Sequence, residues 1–125
     1  MALPKYMTEG AKKHKKSQQQ EARLAGIIGG KVQRGSGSKD FHKGDVKSQE
    51  LLIEAKRTDK DSMSVKKSWL VKIFRESMTY GKIPALSIEF DDMPDIVPKD
   101  WVAVPASTLK LLMEYYKIAI EEEGE

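Results

Sequence analysis

Apolar residues recur along this chain with two different periods, and the change from one to the other marks out its elements. Residues 50–57 alternate, with Leu51, Ile53 and Ala55 on one face and Leu52, Glu54 and Lys56 on the other, as in a strand. Val46 lies just ahead, after a turn at Gly44, and belongs to a neighbouring strand. From Ser64 to Tyr80 the period becomes helical. Val65, Trp69, Ile73 and Phe74, with Leu70 and Met78 beside them, predict a helix with a buried stripe, capped by Ser64 and stopped by Gly81 and Pro84. Residues 83–90 and 101–104 predict two more strands around the loop Asp91-Asp92-Met93-Pro94-Asp95. Pro105-Ala106-Ser107 then opens a last helix to about Glu122.

Upstream, Ser17-Gln18-Gln19-Gln20 has the form of a capping box, in which a Ser hydroxyl accepts from a backbone N–H three residues on. It predicts a first helix over residues 18–27, ended by Gly29-Gly30. Residues 1–16 are then a basic arm, residues 17–120 the folded domain and residues 121–125 an acidic tail. The expected order is helix, three strands, helix, two strands, helix, which is an α/β layered fold around a central sheet.

With 125 residues there is room for one core, and 39% hydrophobic against 33% charged residues is the balance of a globular domain. No apolar run reaches the ~20 residues of a membrane span, and the basic N-terminus lacks the apolar segment of a secretory signal. There is no Cys, hence neither a disulfide framework nor a thiolate metal site. A cytoplasmic protein without membrane partners is expected. Residues 1–82 carry 19 Lys and Arg against 9 Asp and Glu, and residues 83–125 carry 3 against 10, so a +10 stretch precedes a −7 stretch. A basic block suits a polyanion such as nucleic acid, though a solvated surface would look the same.

Chemistry concentrates at Asp45 and at Glu54-Ala55-Lys56. Period two puts Glu54 and Lys56 side by side, and a hairpin would bring Asp45 up to Glu54. Two carboxylates sharing a site repel unless one holds a proton or a cation lies between them. A hard cation such as Mg²⁺ fits, with Lys56 placed to hold an attacking water and offset transition-state charge. The pattern alone equally describes an ion pair on an exposed strand. Its framing by Leu51, Leu52, Ile53 and Ala55 argues for a buried one, where charges need compensation.

The run Glu21, Arg34-Gly35-Ser36-Gly37-Ser38, Gly44-Asp45-Val46 and Leu52-Ile53-Glu54-Ala55-Lys56 resembles the archaeal-type Holliday-junction resolvases of the PD-(D/E)XK nuclease superfamily. The resemblance spans about residues 17–90. It implies a restriction-endonuclease-like fold, α/β with a central mixed five-stranded sheet flanked by helices. It implies a homodimer that resolves four-way junctions by paired nicks with Mg²⁺, or Mn²⁺ as substitute. Glu21, Asp45 and Glu54 would gather at the metal, with Ala55 beside them and Lys56 as catalytic lysine. Arg34, Ser36 and Ser38 would face the junction backbone. The longer, more basic loop, with Lys39 and Lys43 as further candidate DNA contacts and His42 between them, departs from the family and suggests a phage-encoded or otherwise diverged member. Other nucleases of the fold that act in repair or restriction share this site, and a non-catalytic basic DNA-binding module is the remaining alternative.

Some residues read two ways. Lys12 and Lys13 in the arm and Lys72 on the second helix are candidate DNA contacts or plain surface lysines. His42 is a loop histidine more than a general base. Trp69 and Phe74 read as core or dimer-interface residues, as do Tyr115 and Tyr116 on the last helix.

Overall fold

The alternation at residues 51–58 builds the strand on which everything else is assembled. A computed structural model describes residues 5–33 and 44–124, with side chains from residue 10 onward. Its elements are α1 (Lys5–Ile28), β1 (Lys31–Val32), β2 (Val46–Lys47), β3 (Leu51–Thr58), α2 (Lys67–Tyr80), β4 (Ile83–Phe90), β5 (Trp101–Ala103) and α3 (Ala106–Gly124). The five strands form one mixed sheet in chain order, with β3 and β4 parallel and the other neighbours antiparallel. Parallel neighbours need a crossover, and α2 supplies it. The predicted α/β class, element order and five-stranded mixed sheet are therefore present.

The two faces of β3 divide the molecule. Ile53 pairs with Val46 on one side and Ala85 on the other, and these three are buried together under Leu24 of α1. Ala25, Ile28, Leu51 and Ala55 pack around them. On the opposite face Leu52 and Leu86 are buried beneath α2, whose Ile73 turns inward. Both long helices before the last strand end on glycine. Gly29 and Gly81 have φ of 67° and 64°, and the residue after each donates back to the carbonyl five residues earlier, Gly30 to Ala25 and Lys82 to Ser77.

A ladder of ion pairs fastens α1 to the far end of the sheet. Arg23 bridges Glu89 and Asp100, Arg57 bridges Glu89 and Asp91, and Lys16 reaches Asp91 at 2.8 Å. Glu89 is only 2% exposed, so its two arginines are what make that burial tolerable.

Several sequence expectations are corrected. The capping box is not a cap: α1 is already running at Lys5, through a segment of good helix formers, and Ser17 lies inside it. The basic arm is thus helical from residue 5, and Gln20 is a buried side chain that donates to the Lys56 carbonyl and to Ser87 Oγ. Ser64 does not cap α2, because the cap position is Lys66, in extended conformation and without a side-chain cap bond. The α2 stripe is only partly buried. Ile73 and Ser77 point into the body, whereas Leu70, Phe74 and Met78 remain exposed. The acidic residues Glu121, Glu122 and Glu123 belong to α3 rather than to a separate tail. Among the described residues no helix is long and apolar enough to cross a membrane.

Candidate active site

The site begins at a turn that only glycine can make. Gly44 has φ +68°, and a Cβ there would lie 2.9 Å from Leu52 Cγ and 3.1 Å from the Ile53 carbonyl oxygen. The turn delivers Asp45 to the edge of β3, where its N–H donates to the Ile53 carbonyl at 2.7 Å. Because β2 is only two residues long, the N–H of Ala55 lies past the end of the ladder. Asp45 Oδ2 accepts from it at 2.7 Å. The carboxylate thereby takes the place of a missing strand residue, which fixes its position against β3.

Glu54 and Lys56 project from the α2 side of the strand, as period two predicts. Glu54 is 7% exposed, and each of its carboxylate oxygens lies 3.4 Å from Lys72 Nζ. Lys56 Nζ lies 3.5 Å from Glu54 Oε1 and 4.6 Å from the centroid of the Trp69 ring. The aromatic face holds the ammonium without neutralising it. On α2, one turn beyond Lys72, Glu76 accepts from the Gly44 N–H at 2.9 Å and pairs with Lys72 at 3.4 Å. Glu76, Lys72, Glu54 and Lys56 therefore form an alternating row of charges beside Asp45.

Burial raises the Asp45 pKa above the ordinary carboxylate value, and the Glu54 charge raises it further. The Ala55 N–H and the charges of Lys72 and Lys56 oppose both effects. Burial works against the charged form of Lys72, but Glu54 and Glu76 outweigh it and raise the lysine's pKa. A site that protonates one carboxylate more readily, and draws a lysine across two others, is short of positive charge.

Sequence reasoning placed Asp45, Glu54, Ala55 and Lys56 together, and the structure brings them together. It missed Glu76, which was legible only as the i,i+4 partner of Lys72. Lys72 is at the site, but as an ion-pair partner of two carboxylates. Trp69, read as a core or dimer-interface residue, is half-buried, with Lys56 over its ring. Glu21 was expected beside Asp45 and Glu54 at the metal. It is half-buried on α1, which covers the opposite face of β3, and no three His, Asp or Glu side chains cluster for a metal among the described residues. Lys12 and Lys13 are exposed on α1. Arg34, Ser36, Ser38, Lys39, His42 and Lys43 lie outside the described residues. No family model matches this chain, and neither does any curated protein sequence.

The donors at the site are carboxylate oxygens, the kind a hard divalent cation takes. Asp45 and Glu54 are the two that would hold Mg²⁺ or Mn²⁺. The nearness of the Asp45 and Glu54 charges and the seating of Lys72 on Glu54 both fit such a guest.

Proposed function

We propose that this protein is a metal-dependent DNA endonuclease of the PD-(D/E)XK type that resolves four-way junctions. The observation that carries the reading is the meeting of Asp45 and Glu54 at the edge of one strand, with Lys56 beside them on the face that α2 borders. When bound, the metal supplies a water of lowered pKa and offsets charge on the phosphate undergoing attack. The chain's own residues do the rest. The Ala55 N–H locks the rotamer of Asp45, and Glu54 is steered by two ammonium groups. Lys56, seated over the Trp69 ring, would stabilise the negative charge that develops on a phosphoryl oxygen. Lys72, half-exposed at the rim, is free to exchange a carboxylate for a phosphate oxygen as DNA arrives.

Junction specificity and the homodimer rest on the resemblance of residues 17–90 together with the basic block. Two opposed incisions call for two sites related by a twofold axis. The test is a labelled four-way junction and a linear duplex of the same sequence, each incubated with and without Mg²⁺. Paired symmetric nicks in the junction alone, only with metal, are expected. Cutting of the linear duplex as well would reassign the chain to a repair or restriction-type nuclease. Metal-independent binding without cleavage would leave a DNA-binding module.

A further inference from the structure

A third carboxylate, Glu76 of α2, is joined to the pair that would hold a cation through two intermediaries, Gly44 and Lys72. Its side chain is only 13% exposed, and its two oxygens have separate partners. Oε2 accepts from the Gly44 N–H at 2.9 Å, and Oε1 lies 3.4 Å from Lys72 Nζ.

The first partner leads to Asp45. That residue is held from three directions: its N–H donates to the Ile53 carbonyl, its carbonyl accepts from the Gln33 N–H, and Oδ2 accepts from the Ala55 N–H. Ahead of it the sheet ends, because β2 begins only at Val46. Gly44 is buried, and a buried N–H needs an acceptor. Glu76 supplies one, so α2 fixes the peptide that leads into Asp45.

The second partner explains why the acceptor is charged. A neutral amide would accept from Gly44 as well, without adding negative charge beside two other carboxylates. The charge is used at the other oxygen. Lys72 Nζ lies 3.4 Å from both oxygens of Glu54 and from Glu76 Oε1, one turn along the same helix. The lysine is more than half exposed, and with Glu76, Lys67 and Ser68 it lines an open depression on α2, so it has room to turn from one carboxylate to the other. From this geometry we infer that Glu76 is a positioning residue with two roles: it pins the turn that carries Asp45, and it receives Lys72 when a divalent cation takes Glu54. Without Glu76 the lysine would be left to Glu54, and a cation would have to displace it. The inference deepens the nuclease reading and rests on its cation site, though not on its DNA substrate.

Two substitutions separate the roles. Glu76→Gln keeps an oxygen for Gly44 and gives up Lys72, whereas Glu76→Ala gives up both. In amide hydrogen exchange on the full chain, Glu76→Ala should speed exchange at Gly44 and Ala55 by about tenfold or more relative to Leu52 and Leu86, and Glu76→Gln should restore both. In calorimetry with Mn²⁺ alone, Glu76→Gln should weaken binding by about two- to fivefold, the worth of a part-exposed ion pair. At physiological ionic strength, where longer-range charge effects are screened, that loss should disappear in a Lys72→Met background. Unchanged exchange at Gly44 and Ala55 in Glu76→Ala, or a rise spread evenly over both helices, would overturn the first role. A loss of Mn²⁺ affinity undiminished without Lys72 would overturn the second and make Glu76 act on the cation by itself. If Glu76→Ala does not fold, Glu76→Gln in the two backgrounds decides alone. A wild-type chain that binds no Mn²⁺ would sink the metal-dependent reading and the second role together, while the exchange ratios still decide the first. A chain that shows all these effects but cuts no junction would keep this inference and lose the resolvase.

Discussion

At the scale of single residues, Asp45 has the most definite consequences. Its raised pKa means that the folded state holds the proton more tightly than the unfolded chain does. Ionised Asp45 therefore costs stability: its favourable contribution is present below the unfolded carboxylate pKa and is lost as pH rises through the folded one. Asp45→Asn keeps an oxygen to accept from Ala55 N–H and removes the charge. The variant should lose cleavage while its melting temperature at pH 7 equals or exceeds that of wild type, which a pair of thermal melts and a nicking assay would check. A clear loss of stability would show that the charge, rather than the hydrogen bond, holds the edge of β3. Lys56→Ala should lower the cleavage rate by on the order of 10²–10³ with little change in metal affinity. Lys72 competes with any cation for Glu54, so Lys72→Met should enlarge the thermal shift produced by Mg²⁺. At more than half exposed, the lysine's own ion pairs are screened, and removing them should cost under about 1 kcal/mol.

At the scale of elements, the turn ahead of β2 governs whether Asp45 is delivered at all. Gly44→Ala would place a Cβ against Leu52 and the Ile53 carbonyl in a backbone conformation that alanine disfavours. The expected cost is about 1–3 kcal/mol in a urea titration, and cleavage should fall further than stability alone explains, because Asp45 moves with the turn. This turn also shows what could be read in advance. Gly44, the alternation of β3 and the αL glycine after α2 are local signals, and local signals gave strand β3, strand β4 and the end of α2 within a residue. Asp45, Glu54 and Lys56 were legible for the same reason, since strand periodicity alone puts the last two together. The start of α1 was not legible, because a polar capping sequence inside a helix looks like one at its end. What decides between them is the sheet: Gln20 spends its amide on Lys56 and Ser87, which lie 36 and 67 residues away. Glu76 escaped for a similar reason. Its partner, the Gly44 N–H, is 32 residues distant and carries no sequence mark. The exposed stripe of α2 was read as buried because periodicity shows which face of a helix is apolar, not what covers it.

At the scale of the whole molecule, the separation of charge along the chain becomes an arrangement in space. Acidic residues of the second half are used to fasten the basic first helix: Asp91, Glu89 and Asp100 receive Lys16, Arg57 and Arg23. The Asp91 carboxyl is held below its ordinary pKa, first by the hydrogen bond from Lys16 and then by the Arg57 charge and hydrogen bond, against the cost of burial. Its contribution is present above the unfolded carboxylate pKa and disappears as pH falls towards the folded one, so Asp91→Asn should flatten the acid side of the stability curve. The lysines that remain outside this ladder are the ones available to a polyanion. Lys12 and Lys13 are exposed on α1, about one turn before Lys16. Because α1 is continuous through them, removing residues 1–16 would also remove the Lys16 anchor and confound binding with stability. Lys12→Gln/Lys13→Gln avoids this, since glutamine keeps helix propensity and neither lysine touches the ladder. If both contact DNA phosphates, the slope of log affinity against log salt should fall by roughly 1.8, about 0.9 for each contact, with the melting temperature unchanged. Filter binding on an uncleaved junction over a salt series, done with Asp45→Asn as the background, measures the slope directly. An unchanged slope would place the DNA path away from α1 and leave the phosphates to the α2 rim, where Lys72 pairs with Glu54 and Lys66 lies over the Trp69 ring.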